Sequence, residues 1–284
     1  MLTARFFRAK MEAEGGEIMN IWTQKSIELA NQRDYLDQLF KIYPLGENLV
    51  RSLGNSVVEG VKKAMDERNN VELIETLLKH EKFPFKDSYV AFLRDDKTAA
   101  GRNPQTVNRL AGKIYEMGFE KVINKMSEPK ETNTQMGNLF RGWLQKGSLG
   151  AELTTDEDRF LNEDGNFVLN LSDAGLMQFA RQNLGYTKEK GLDLVVKFNN
   201  IFVIAEAKFI TSSGGNQDKQ MDDAITTLRA RVYKTEHNVL PIAIIDGVPY
   251  LETKNSKAQK AVRTAQNDEH ILSALFLREF LYAL

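Results

Sequence analysis

From residue 20 to about residue 147, apolar positions recur at steps of three and four, the period of helices with one buried face. Over residues 26–42, Ile27, Ala30, Tyr35, Leu36, Leu39 and Phe40 fall near one face, and Pro44 stops the pattern. Residues 49–65 repeat it with Leu49, Leu53, Val57, Val61 and Met65. Residues 70–78 predict a third helix, and a short apolar run, 89–93, follows the turn residues Pro84, Asp87 and Ser88. Asn103 before Pro104 is a cap followed by a first-turn proline, so a helix is expected from there to about Met117, closed by Gly118. Residues 119–126 predict another, ending before Pro129.

After about residue 150 the period changes. Asp164-Gly165-Asn166 is a turn between short extended runs. Ser172 is placed to cap a helix over 173–183, with Gly185 at its end. Two apolar strands, 192–198 and 201–209, flank Asn199-Asn200. A loop with Ser212, Ser213, Gly214 and Gly215 leads into a helix over about 217–234, whose stripe is Met221, Ile225, Leu228 and Val232. A buried strand over 239–245 and a final helix over about 269–282 complete the chain. Helices first, then helix–strand–strand–helix–strand, predict an α/β (α+β) protein: a mixed sheet flanked by helices, with a helical N-terminal region. Residues 1–19 read as a disordered or tag-like leader, with Met19 an alternative start. Residues 20–147 read as the helical region and 148–284 as the domain carrying the chemistry, with no Pro/Gly/Ser-rich linker between them.

Composition narrows the classes of chemistry. Among 284 residues, 38 Lys and Arg balance 39 Asp and Glu, so bulk charge points to no partner, although a local patch remains open. The absence of cysteine excludes disulfides, thiolate zinc sites and cysteine nucleophiles. His80, His237 and His270 lack the spacing of a ligand pair and need no special function. No apolar run reaches membrane-spanning length and the first residues lack a secretory core, so a cytoplasmic protein without a membrane partner is expected.

The strand pair holds the informative charges. Asn tolerates left-handed backbone, so Asn199-Asn200 is a credible two-residue hairpin turn. Phe198 then faces Ile201, and antiparallel pairing places Asp193 opposite Glu206, with Cβ atoms roughly 4.5–5.5 Å apart. Lys208, two residues on, shares their face. Like charges opposite one another destabilise a sheet unless compensated. One carboxyl can be protonated, Lys208 can neutralise the pair, or a divalent cation can sit between them. For the last, Asp193, Glu206 and the Ala207 carbonyl make an open oxygen site of the kind Mg²⁺ takes. A solvent-facing hairpin is the plain alternative, but nearly every neighbour of these charges is apolar, and strands of that composition are buried on both faces.

Asp193, then Glu206-Ala207-Lys208 thirteen residues on, resembles the PD-(D/E)XK nuclease signature, with Leu192 where that signature usually has proline. The segments PKETNTQMGNLFRGWL, KGLDLVVKF, AEAKFITSSGGNQDKQMDDA and ILSALFLREFL look like type II restriction endonucleases, and the resemblance spans most of the chain from about residue 20. It implies a restriction-endonuclease-like mixed sheet and Mg²⁺-dependent, sequence-specific hydrolysis of phosphodiester bonds in double-stranded DNA. By the same resemblance Asp193 and Glu206 are metal ligands and Lys208 is the catalytic lysine. Glu152 is the preferred upstream acid among Glu152, Asp156, Glu157 and Asp173. A homodimer is implied for cutting both strands of a symmetric site, with the helical region embracing DNA or dimerising. A companion DNA methyltransferase is implied as a separate protein. The rival readings are a structure-specific repair or recombination nuclease and an inactive DNA-binding module of the same fold.

DNA contacts are expected where the loop after Lys208 enters the next helix. Asn216, Gln217 and Gln220 are candidates there, since Gln reads adenine edges and a helix start suits phosphate. Lys219 and Arg229 on that helix are candidates for phosphates, against the plain reading of a solvated face. Lys254, Lys257, Lys260 and Arg263 form a possible basic stripe. Gln105, Asn108, Arg109 and Lys113 give one earlier helix a polar surface that its core packing explains without DNA. Trp143 reads as core.

Overall fold

The computed structural model describes residues 19–44, 52–128, 132–212, 214–233, 235–252 and 256–284. The leader expected over 1–19 lies outside them except for Met19, as do Ser213, Lys234, Lys254 and the first residues of the helix expected from Leu49.

The chain forms two compact units, Met1–Leu45 with Thr132–Leu284, and Gly46–Glu131. The division therefore differs from a cut near residue 147: the helices on either side of the inserted unit belong with the sheet. The inserted unit holds α3 (Asn55–Asp66), α4 (Asn70–Leu78), α5 (Tyr89–Asp95), α6 (Ala99–Arg102), α7 (Pro104–Met117) and α8 (Phe119–Ser127). Its core includes Val61 of the stripe expected over 49–65, together with Leu73, Ile74, Leu77, Val107, Leu110, Ile114 and Val122.

In the sheet unit, α1 (Ile21–Ala30) and α2 (Tyr35–Ile42) replace the single helix expected over 26–42. The break has a local cause. The Asn31 amide donates to the Ile27 and Tyr250 carbonyls, a side-chain competitor to the helix ladder, and Asp34 takes a left-handed φ of 67°. The remaining elements are α9 (Thr132–Gln145), β1 (Glu152–Thr154), α10 (Glu157–Asn162), β2 (Phe167–Leu169), α11 (Asp173–Asn183), β3 (Leu194–Phe198), β4 (Ile201–Ile210), α12 (Asn216–Leu228), β5 (Asn238–Gly247), α13 (Lys257–Arg263), β6 (Ile271–Leu272) and α14 (Ala274–Tyr282). Helix α11 has the expected bounds, with the Ser172 side chain accepting the Gly175 N–H.

Helix α12 ends six residues early, and Val232 instead bridges to Tyr186. The final helix also starts later than expected. Ile271 and Leu272 pair with β5 as an edge strand, and Ser273 then caps α14.

Among the described residues, six strands lie in the order β1-β2-β3-β4-β5-β6. Pairs β1–β2, β4–β5 and β5–β6 are parallel, and β2–β3 and β3–β4 antiparallel, so this is a mixed sheet flanked by helices. On one face Leu194, Val196, Val203 and Ala205 join Met136, Phe140 and Leu144 of α9 in the larger core. On the other, Val195, Phe202 and Ile204 pack with Leu176, Phe179 and Ala180 of α11. Both faces are thus covered, as the near-continuous apolar strands require. Among the described residues, no helix is long and apolar enough to cross a membrane.

Candidate active site

Asn199 and Asn200 adopt φ of 49° and 61°, the left-handed pair of a tight hairpin turn. Pairing runs from Phe198↔Ile201 to Leu194↔Ala205 in the expected register. The ladder then ends one residue before the predicted Asp193–Glu206 pair. The Asp193 N–H donates to the Ala205 carbonyl (3.0 Å), and its carboxylate accepts the Ala207 N–H through Oδ2 (2.8 Å). A side-chain oxygen takes the place of a ladder acceptor.

Strand β4 continues to Ile210, paired on its other side with β5. Among the described residues, no strand pairs with the other edge of its last residues. A cavity of about 330 Å³ opens there, lined by Asp193, Glu206, Ala207, Lys208 and Phe209, by Gln220 and Asp223 of α12, by Phe140 of α9, and by Tyr43. The N–H and C=O of one strand residue point the same way. Since the Ala207 N–H meets Asp193, its carbonyl faces this same open edge.

The ammonium of Lys208 lies 2.5 Å from Glu206 Oε1 and 3.4 Å from Asp193 Oδ2. Burial pulls its pKa down, but the Asp193 and Glu206 carboxylates outweigh that, and the group is held cationic above its ordinary value. Glu206, with a side chain only 5% exposed, is met by a second cation, Lys190, at 3.2 Å, and its Oε2 accepts the Thr227 hydroxyl at 3.4 Å. Lys190 also lies 3.3 Å from Asp223. In the cavity wall, Tyr43 packs edge-on against Phe209 and donates its hydroxyl to Asp246 (2.7 Å). Burial and the nearby Asp246 raise that hydroxyl's pKa well above its ordinary value.

Asp193, Glu206, Ala207 and Lys208 thus come together. Glu152 does not join them. It sits on β1, the outer edge strand two places from β3, where Arg159 grips its carboxylate at 2.5 and 3.0 Å and lowers its pKa. Asp173 comes closer through its backbone, whose carbonyl accepts the Leu192 N–H, but its carboxylate pairs with Arg141. Of the expected DNA contacts, Gln220 lines the cavity, while Asn216 and Lys219 are exposed. Gln217 is buried and its Oε1 accepts the Thr211 N–H (3.0 Å), closing the loop before α12 rather than facing outward. Arg229 is exposed but gripped by Glu269. Arg109 is likewise engaged, bidentate to Asp87 within the inserted unit.

Tyr43, Lys190 and Asp223 escaped the sequence reading. A signal for Asp223 exists: Gln220, Asp223 and Thr227 follow one another at three and four residues, a polar stripe on one helix face.

Among the described residues, no group of three or more His, Cys, Asp or Glu side chains is arranged to hold a metal ion. The donor set that does converge is two carboxylates and a carbonyl. One ammonium touches both carboxylates, so a positive charge already finds its place between them. All-oxygen donors with so few protein ligands fit Mg²⁺, which keeps several waters and takes one or two carboxylates.

A family model described as Tsp45I type II restriction enzyme matches residues 20–284. No curated protein and no solved structure matches the chain.

Proposed function

The chain belongs to the Tsp45I type II restriction enzyme family, and from that premise we propose that the cavity at the open edge of β4 is a PD-(D/E)XK site cleaving double-stranded DNA at a specific sequence. The observation that carries the reading is the convergence of Asp193 and Glu206 on the Lys208 ammonium inside that cavity. Asp193, Glu206 and the Ala207 carbonyl would hold Mg²⁺, which when bound supplies Lewis-acid stabilisation of phosphoryl charge and a more acidic water.

The protein's own part is positioning and electrostatics. Asp193 is fixed by the Ala207 N–H, so the carboxylate and the Ala207 carbonyl are held in one frame. Lys208 stays cationic, so it donates rather than accepts: it orients an attacking water and steadies charge at the phosphoryl oxygens. Gln220 stands in the cavity wall, where a flipped or groove-exposed base edge or a phosphate can meet an amide. Asn216 and Lys219 at the start of α12 extend that surface toward the DNA backbone. A two-fold dimer brings two such sites to the two strands of a symmetric target, and a separate methyltransferase protects the host's own copies.

Plasmid digestion tests the proposal. Unmethylated DNA should fall into discrete bands with Mg²⁺ and stay intact with EDTA. Asp193→Ala, Glu206→Gln and Lys208→Ala should each lower the rate by about a hundredfold or more. Variants that cut as well as the parent overturn the assignment of residues. Preferential cutting of branched DNA without discrete bands favours a structure-specific nuclease, and a parent that cuts nothing favours a binding module.

A further inference from the structure

Among the described residues Glu206 is approached by two lysines, and only Lys208 belongs to the PD-(D/E)XK signature itself. The ammonium of Lys190 is shielded from solvent and meets Glu206 Oε1 and Asp223 Oδ2 at 3.2 and 3.3 Å, neither contact having hydrogen-bond geometry. It is held there by charge. Its two partners line the cavity, and Lys190 is outside that lining. Charges alternate from contact to contact: Asp223, Lys190, Glu206, Lys208, Asp193. Asp223 comes from α12, an element that the paired-carboxylate signature does not include.

We propose that Lys190 and Asp223 are positioning residues of the hydrolytic site, Lys190 as an internal countercation holding Glu206 and Asp223 at the cavity wall, and Asp223 as the acid that shares Lys190 so that Glu206 stays free to take a divalent cation. The inference rests on reading Asp193 and Glu206 as the metal-holding pair. Lys190 and a bound cation compete for the same oxygen, Glu206 Oε1, and like charges a few ångströms apart repel. Removing Lys190's charge therefore tightens cation binding. Removing Asp223's charge leaves Lys190 wholly on Glu206 and weakens it. Two charges that merely lie near the cation act independently; because Asp223 acts through Lys190, Asp223→Asn should change the affinity less once Lys190 is already Met.

The test is a calorimetric titration of the full-length, DNA-free protein with Mn²⁺, with thermal unfolding in and out of Mn²⁺ as a second readout. Lys190→Met should bind Mn²⁺ about tenfold more tightly than the parent and Asp223→Asn about tenfold more weakly. Lys190→Arg should restore the parent's affinity. Mn²⁺ should raise the melting temperature of Lys190→Met more than that of the parent. Lys190→Gln, which keeps a polar end, replaces the Met variant if that one does not fold. If Asp193→Asn abolishes binding while the Lys190 and Asp223 variants match the parent, this inference fails and the metal reading stands. If the parent and Asp193→Asn take up Mn²⁺ alike, the metal reading itself fails and takes the inference with it.

Discussion

Two glutamines three residues apart show how burial divides roles that composition treats alike. Gln217 is buried with its carbonyl on the Thr211 N–H, and Gln220 stands in the cavity wall. Gln217→Ala removes the acceptor of a part-buried loop N–H, a loss of about 0.5–1.5 kcal/mol. It should lower the urea midpoint while the folded enzyme still cuts DNA. Gln220→Ala should do the reverse: unchanged midpoint, weaker cleavage. Equal effects of the two on stability, or none of Gln220→Ala on cleavage, would remove Gln220 from the DNA-facing set. Glu152 offers a plain contrast. Its exposed pairing with Arg159 lies on the far edge strand, so Glu152→Gln should cleave at the parent's rate.

The hairpin shows what a local rule can and cannot deliver. A two-residue turn and constant antiparallel pairing place five residue pairs correctly, from Phe198↔Ile201 to Leu194↔Ala205. The rule stops where tertiary structure begins: Asp193 leaves the ladder to bond Ala207, and only the extra length of β4 alongside β5 makes the open edge that becomes the cavity. The meeting of Asp223 with Lys190 was not legible for the same reason, since it depends on how α12 lies against the sheet; the polar stripe marks Asp223 but not its partner. Asn31 was legible as a residue but not as a break, because its competing acceptor, the Tyr250 carbonyl, is 219 positions away. The turn itself is testable. Replacing Asn199 and Asn200 with Ala puts two residues that tolerate left-handed backbone less well than Asn into the turn, at up to about 1–2 kcal/mol each, since Asn already bears part of that strain. Chemical denaturation should show that loss, with Mn²⁺ affinity of the folded protein unchanged. A stable double variant with altered affinity would mean that the turn sets the site's geometry as well as the register.

At the scale of the molecule, every residue lining the cavity belongs to the sheet unit, although Tyr43 and Phe140 flank the inserted helices in sequence. The near-zero net charge is then uninformative because oppositely charged groups are paired locally, at the site most of all. One buried carboxyl ties this unit together. Asp246, on β5, is fully enclosed and accepts the Tyr43 hydroxyl, the Ser273 hydroxyl and the Ala274 N–H, joining the residue after α2 to the start of α14. Burial pushes its pKa from 3.8 up to about 7, against the three donors, which lower it. The folded protein thus keeps a proton between those values that the unfolded chain has released. Through this group, stability falls as pH rises from about 4 to about 7 and is level above, with a steepest slope of about 1.4 kcal/mol per pH unit. Asp246→Asn lacks that titration. Urea unfolding of both proteins from pH 5 to pH 8.5 should show the parent losing ground to the variant at each step up to about pH 7, then a constant difference. A difference that stays constant over the whole range would mean that Asp246 is ionised in the folded protein throughout.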